Sequence, residues 1–271
     1  MSYMNTTLYK YKSLDGNYFI LDPIKNTFPI TKSFVNKACN ESFSIGADGI
    51  IRGPFFINKG IKMELFNEYG IEINPNPNSI RVFVQYLLDC GYVTNDTFKI
   101  ETKQGGVMVN MINKEDSELI KISMKDLIFP EDELQLKPSY SNPVVQSMVY
   151  QDKVFHAACL EKSTASSILM LEEMGKSQVQ SYRITGQEEL EEQFTTISED
   201  KDFSHTQKHI IAAVAAHRLG LLGNQITITS SYGDIYIEID DEKNIYIAAE
   251  AMRNGLLMMD VQHEELSMMS M

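Results

Sequence analysis

The chain is short of cysteine, of basic charge and of long apolar runs, and each shortage closes off a class of function. Three cysteines in 271 residues (Cys39, Cys90 and Cys159) are too few and too scattered for a disulfide framework or a cysteine-rich zinc site. Lys plus Arg number 24 against 37 Asp plus Glu, a formal net charge of -13. Gripping a phosphate backbone needs a basic footprint, so nucleic acid is not an expected partner. Attraction to an anionic membrane surface is disfavoured for the same reason. The longest apolar runs, such as Ile210 to Ala216, fall far short of the ~20 residues of a membrane helix. The opening MSYMNTTLYKYK has no apolar core of signal-peptide length. Neither a GxxxxGK[ST] nor a GxGxxG stretch is present. These features predict a soluble, cytoplasmic chain with no bound cofactor.

What is present begins with an ordinary globular composition, 43% hydrophobic and 23% charged. The length suggests two domains at ~150 residues each. A weak internal repeat says where they lie. Residues 79–90 (SIRVFVQYLLDC) have helical periodicity and stop at Gly91. A turn at Thr94-Asn95-Asp96, a strand-like run Phe98 to Thr102, Gly105-Gly106 and a second alternating run, Val107 to Met111, follow. Residues 207–219 (QKHIIAAVAAHRL) repeat the pattern: Gly220 stops the helix, Gly223-Asn224 turns, and Ile226 to Ser230 and Ile235 to Ile239 flank Gly233-Asp234. The offset is 220 - 91 = 129 at the helix stops and 233 - 105 = 128 at the hairpins. Duplication predicts two similar lobes, residues 1–132 and 133–271, joined near the charged stretch Pro130 to Pro138. A cleft between two such lobes is where a small ligand is expected.

The two helices begin after Asn74-Pro-Asn-Pro-Asn-Ser79 and after Phe203-Ser-His-Thr206. Asn78, Ser79, Ser204 and Thr206 can each cap a helix start. Such starts also attract carboxylate or phosphate.

With the repeat in view, five stretches carry a family resemblance. Gly16-Asn17-Tyr18-Phe19 is similar to a GNDF stretch, Ile45-Gly-Ala-Asp48-Gly to GxGxDxxL, and Phe66-Asn67-Glu-Tyr-Gly70 to FNADG. Ser141-Asn142-Pro143 is similar to GNPH, and the helix and hairpin of 210–239 complete the set. The chain thus resembles diaminopimelate epimerase and its relatives. The resemblance implies an α+β fold of two pseudo-symmetric lobes, each of twisted, mostly antiparallel strands around a central helix. It also implies proton transfer at the α-carbon of an amino acid by two thiols, one at each helix start. Here those thiol positions fall on Asn76 and Thr206, the GNPH histidine falls on Val144 and the Glu-Arg pair falls near Ile197-Ser198. An amide has no useful basicity, and an unactivated hydroxyl is a far poorer base than a thiolate. Cys39 and Cys90 read as small core residues near helix ends.

Some relatives, such as the phenazine-biosynthesis isomerase, move a proton with carboxylate and histidine groups instead. On that resemblance Asp48 and His205 are the catalytic candidates. Asn17, Asn67, Asn76, Asn78, Ser79, Asn142, Thr206, Lys208 and His209 are the candidates for binding a small carboxylate or amino-acid-like substrate. The competing expectation is an inactive homologue that binds a ligand or a protein partner without turnover. The resemblance leaves a homodimer open. His205 and His209 are four apart and share a helix face, but zinc wants three or four ligands, so no metal is expected. Gln187 to Phe194 reads as an exposed acidic helix anchored by Leu190 and Phe194, and Ser167 to Gly175 as another short helix. The 15 methionines are scattered or sit in the tail, as flexible filler does.

Overall fold

The computed structural model describes residues 3–26, 29–58, 60–114, 117–124, 127–128, 144–150, 153–160, 179–186, 188–195, 205–218 and 220–262. The linker at Pro130 to Pro138, the helix expected at Ser167 to Gly175, and Asn142 lie outside them. The chain forms two compact units, Met1–Ile122 with Glu250–Met271, and Ser123–Ala249. The first unit therefore ends ten residues before the expected boundary at 132 and takes back the end of the chain (132 - 122 = 10).

The first unit runs β1 (Tyr3–Ser13), β2 (Gly16–Leu21), α1 (Lys32–Cys39), β3 (Gly49–Ile57), β4 (Gly60–Asn67), β5 (Glu72–Ile73), α2 (Pro77–Asp89), β6 (Thr97–Thr102), β7 (Gly105–Lys114) and β8 (Ser117–Met124). The second runs β9 (Leu127–Ile128), β10 (Val144–Tyr150), β11 (Lys153–Leu160), β12 (Val179–Ile184), β13 (Glu189–Thr195), α3 (His205–Arg218), β14 (Gln225–Ser230), β15 (Gly233–Ile239) and β16 (Ile245–Ala249). The last strand, β17 (Met252–Gln262), pairs antiparallel with β1 from Tyr3↔Gln262 to Lys12↔Met252. That ladder is why the C-terminal segment belongs to the first unit.

Pairing repeats strand for strand. β1 and β2 form a tight antiparallel hairpin, β2 lies parallel to β3, β3 antiparallel to β4, β4 parallel to β6, and β6, β7 and β8 continue antiparallel. In the second unit β10 to β16 show the same succession of antiparallel and parallel pairings.

The repeat reaches single hydrogen bonds. α2 ends with Gly91 N–H donating to Leu88 O (2.9 Å) and Tyr92 N–H to Leu87 O (2.8 Å). α3 ends with Gly220 N–H donating to His217 O (2.9 Å) and Leu221 N–H to Ala216 O (3.0 Å). Both are Schellman motifs around a left-handed glycine, φ +68° and +71°. In the hairpins, Thr102 Oγ1 donates to Gly105 O (2.8 Å) and accepts from Gln104 N–H (3.2 Å). Ser230 Oγ does the same with Gly233 O (2.9 Å) and Tyr232 N–H (3.2 Å). Met111 N–H reaches back to Asp96 O at 2.7 Å, and Ile239 N–H to Asn224 O at 2.8 Å. A Cβ at Gly91 or Gly220 would meet no atom within 4 Å, so only backbone strain opposes a side chain. Gly91→Ala and Gly220→Ala should therefore each cost about 1 kcal/mol, and matched denaturant titrations should give equal losses within error. A loss at one position alone would mean the two stops are not equivalent.

α2 is buried on every face: Ile80, Arg81, Val82, Phe83, Val84, Tyr86 and Leu87 are all covered. It packs on β1, β2, β3 and β17, as a central helix must. On the other face of β1 and β2, Leu8, Phe19 and Leu21 pack against Phe34, Val35, Ala38 and Cys39 of α1, with Ile50 of β3. In α3, Ile210, Ala212, Ala213, Val214 and Ala216 are buried.

Gln187 to Phe194 is not a helix. Its described residues from Glu189 onward form β13, antiparallel to β12 and parallel to β14. In sequence a spacing of four, as between Leu190 and Phe194, fits the period of a regular strand as readily as that of a helix, although the β12–β13 ladder itself shifts register between Glu192 and Phe194. Among the described residues no helix is long and apolar enough to cross a membrane.

Candidate functional site

The site builds from the joint between β2 and β3. The strands run parallel with Tyr18 opposite Gly49, which sets Asn17 beside Asp48. The two residues clamp each other. Asp48 N–H donates to Asn17 O at 2.8 Å, and Asn17 N–H donates to Asp48 Oδ2 at 2.6 Å. Gly49 is required next to them, because a Cβ there would stand 2.3 Å from Phe66 O of β4.

Asp48 opens on a polar pocket of about 460 Å³ lined by Lys10, Asn17, Cys39, Asp48, Glu68 and Tyr69, with the end of α1. Although Asp48 itself is exposed, loss of water around the carboxylate raises its pKa, and Asp15 and Glu68 push the same way. The Asn17 N–H and the Lys10 ammonium pull it down, and the net direction is upward. Such a carboxyl is closer to the balance between acid and base than an ordinary aspartate. Cys39 is buried, and desolvation pushes its thiol up to about 12, with Glu68 and Asp48 adding to it. It is a protonated wall of the pocket, not a thiolate base.

Asn67 stands at the end of β4. Its Oδ1 accepts from Tyr69 N–H (3.1 Å) and Ile71 N–H (2.9 Å) and so shapes the loop that delivers Glu68 to the pocket.

The start of α2 is organised differently from the sequence reading. Asn78 and Ser79 are not the cap; Asn76 is. Its Oδ1 accepts from Ser79 N–H (2.8 Å), and Ser79 Oγ in turn accepts from Asn76 N–H (3.0 Å), a reciprocal capping box with Pro77 in the first turn. Asn76 Nδ2 donates to Tyr18 Oη at 2.7 Å. Asn78 is buried inside a network: its Nδ2 donates to Asp15 Oδ1 (2.8 Å), its Oδ1 accepts from Arg81 Nη2 (2.5 Å), and Arg81 Nε donates to Ser13 Oγ (2.9 Å). Arg81 is fully buried, and desolvation brings its pKa down to about 10, with Asp15 and Tyr18 opposing.

In the second unit His205, Thr206, Lys208 and His209 share the first turns of α3. Thr206 and His209 are buried; the side chains of His205 and Lys208 lie outside the described part. Among the described residues no three His, Cys, Asp or Glu side chains are grouped to hold a metal ion. The first unit thus brings Asn17 and Asp48 together at one pocket, with Asn67 shaping its edge. Asn76, Asn78 and Ser79 gather at the start of α2. Lys10, Glu68, Cys39 and Tyr18 were missed from the sequence. Three of them come from separate elements with no spacing signal, while Tyr18 was visible as the one departure inside the GNDF-like stretch. Cys90, expected in the core, is instead half-buried at the end of α2 and accepts from Lys25 Nζ at 3.1 Å.

No family model matches the chain. A diaminopimelate epimerase from a Nostoc species is 24% identical over 258 residues, 88% of this chain and 90% of its own length. Among solved structures, a Bacillus anthracis protein of the phenazine biosynthesis PhzF family superposes with TM-score 0.62 at 11% identity, over 95% of this chain and all of that one. A hydroxyproline epimerase from Agrobacterium vitis, solved with trans-4-hydroxy-L-proline, superposes with TM-score 0.60 at 9% identity, over 97% of this chain and 93% of that one. The chain has the diaminopimelate epimerase-like fold, and its sequence is similar to a diaminopimelate epimerase over most of its length.

Proposed function

We propose that the chain is a cofactor-independent isomerase that moves a proton on a small amino-acid-like or other carboxylate substrate, without a two-thiol mechanism. The observation that carries this reading is Asp48: a carboxylate whose pKa is raised, clamped by the Asn17 backbone, at the mouth of a polar pocket. Asp48 takes and returns the proton. Asn17 and the Asn67 loop hold the polar end of the substrate. His205 is assigned to the second transfer on the resemblance alone. The relatives named above support the class of reaction, since a proton-transferring epimerase spans nearly the whole chain. The first thiol position being Asn76, already engaged in a cap and with Tyr18, argues against their two-sulfur route.

The test is solvent exchange. LL-diaminopimelate, L-proline, an α-hydroxy acid and an unsaturated carboxylate are each incubated with the protein in D2O, and loss of carbon-bound proton signal is followed by NMR. Exchange above buffer for at least one is the expected result. Melting-point shifts with these probes but no exchange with any would favour the second reading, a homologue that binds without turnover. Consumption of the Asn76 and Ser79 side chains in the capping box is what speaks for it.

A further inference from the structure

Two departures from the epimerase pattern touch one another. Tyr18 stands where the GNDF-like stretch has its aspartate, and Asn76 stands where the first thiol would be. The amide donates to the phenol oxygen at 2.7 Å. Tyr18 is 5% exposed, and among the described residues its own O–H proton goes to no acceptor. Burial, with the charges of Asp48 and Asp15, raises the phenol far above its ordinary range, while the Asn76 bond and Arg81 act against this. It stays neutral and can donate but not accept a proton from carbon. Arg81, nearby and fully buried, keeps Nη1 without a hydrogen-bond partner among the described residues. An uncommitted phenolic proton, a buried guanidinium and the positive end of a 13-residue helix share one complement, a negatively charged oxygen.

We propose that Tyr18 is the ligand-facing hydrogen-bond donor of the first unit, offering its phenolic proton to a carboxylate or enolate oxygen at the start of α2, where two-thiol relatives place a sulfur. This deepens the reading above and rests on it for the existence of a ligand. The division of labour follows: Tyr18 steadies negative charge, and Asp48 carries the proton.

The test needs no ligand. Asn76→Cys places a thiolate beside Tyr18 Oη as an anionic probe. Iodoacetamide alkylation of the peptide carrying that thiol is measured against pH by mass spectrometry, with Tyr18 present and in a Tyr18→Phe background. A donating phenol should lower the thiol's apparent pKa by at least one unit, a tenfold change in thiolate equilibrium. Equal values in the two backgrounds would overturn the proposal. Should Asn76→Cys fold poorly, Asn76→Asp keeps a competent cap and carries the same comparison by NMR titration of its carboxyl. A silent exchange assay with a normal thiol shift would sink the reaction and leave the donor. Equal thiol values sink the donor whatever the exchange assay shows.

Discussion

Asp48→Asn should lower solvent exchange at the substrate carbon by 10²- to 10⁴-fold, about the range expected for losing a positioned general acid–base group, while leaving the protein at least as resistant to heat at neutral pH. The two halves of this expectation have one cause. Desolvation, Asp15 and Glu68 raise the folded-state pKa of Asp48 above that of an unfolded aspartate, about 3.9. Folding therefore favours the protonated form. The stability this group contributes is fully present below the unfolded pKa and falls away as pH rises through the folded one. At pH 7 the ionised carboxylate is held at a cost, and an uncharged amide escapes it. Melting curves should put the variant level with or above the native protein at pH 7, with the gap closing as pH approaches 4. Native exchange rates in the variant would remove Asp48 from the reaction. A variant that melts lower at pH 7 would show that the Asn17 N–H bond to Oδ2 outweighs desolvation.

The parts of this molecule that were legible in its sequence are those written in local chemistry. Gly91 and Gly220 announce helix stops because a left-handed residue is cheap only for glycine. The hydroxyls of Thr102 and Ser230, two residues before Gln104 and Tyr232, fix matching hairpin turns. Asn17 and Asp48 were brought together by the motif resemblance, and the parallel pairing of β2 with β3 supplies the physical reason. Two local signals were misread. Pro77 belongs in the first turn of a helix, so the cap had to lie at Asn76, one residue before it, and not at Asn78 or Ser79. Leu190 and Phe194 satisfy both periodicities, and parallel pairing of β13 with β14 decides between them from a distance the sequence does not show. Lys10, Cys39 and Glu68 meet at the pocket from β1, α1 and the loop after β4. Only the fold makes them neighbours.

Asp22→Ala should damage the first unit severely, costing about 2–4 kcal/mol, the scale of leaving buried hydroxyl donors unpaired. Asp22 is fully buried at the end of β2. Its Oδ2 accepts from Tyr86 Oη (2.5 Å) and Tyr92 Oη (2.7 Å), and its Oδ1 accepts from Ile24 N–H (2.8 Å). The Lys25 ammonium sits 3.8 Å away and lies over the rings of Tyr9, Tyr86 and Tyr92. Truncation strands two phenolic donors, one on the central helix with no water to turn to, and leaves the ammonium without its counter-charge. Urea titration should show a lower midpoint at an unchanged slope; a loss below about 1 kcal/mol would mean that solvent reaches the phenols. The network also sets an alkaline limit. Burial first, then the bonds to Asp22, raise the pKa of both Tyr86 and Tyr92. For a group raised in the folded state, the stabilising contribution is intact below the unfolded tyrosine pKa, about 10, and is lost as pH climbs from there toward the folded value. Native stability should therefore fall above pH 10. In Asp22→Ala, where the carboxylate no longer holds the phenol protons, that fall should be shallower, and an equally steep fall would place the alkaline limit elsewhere than on this aspartate.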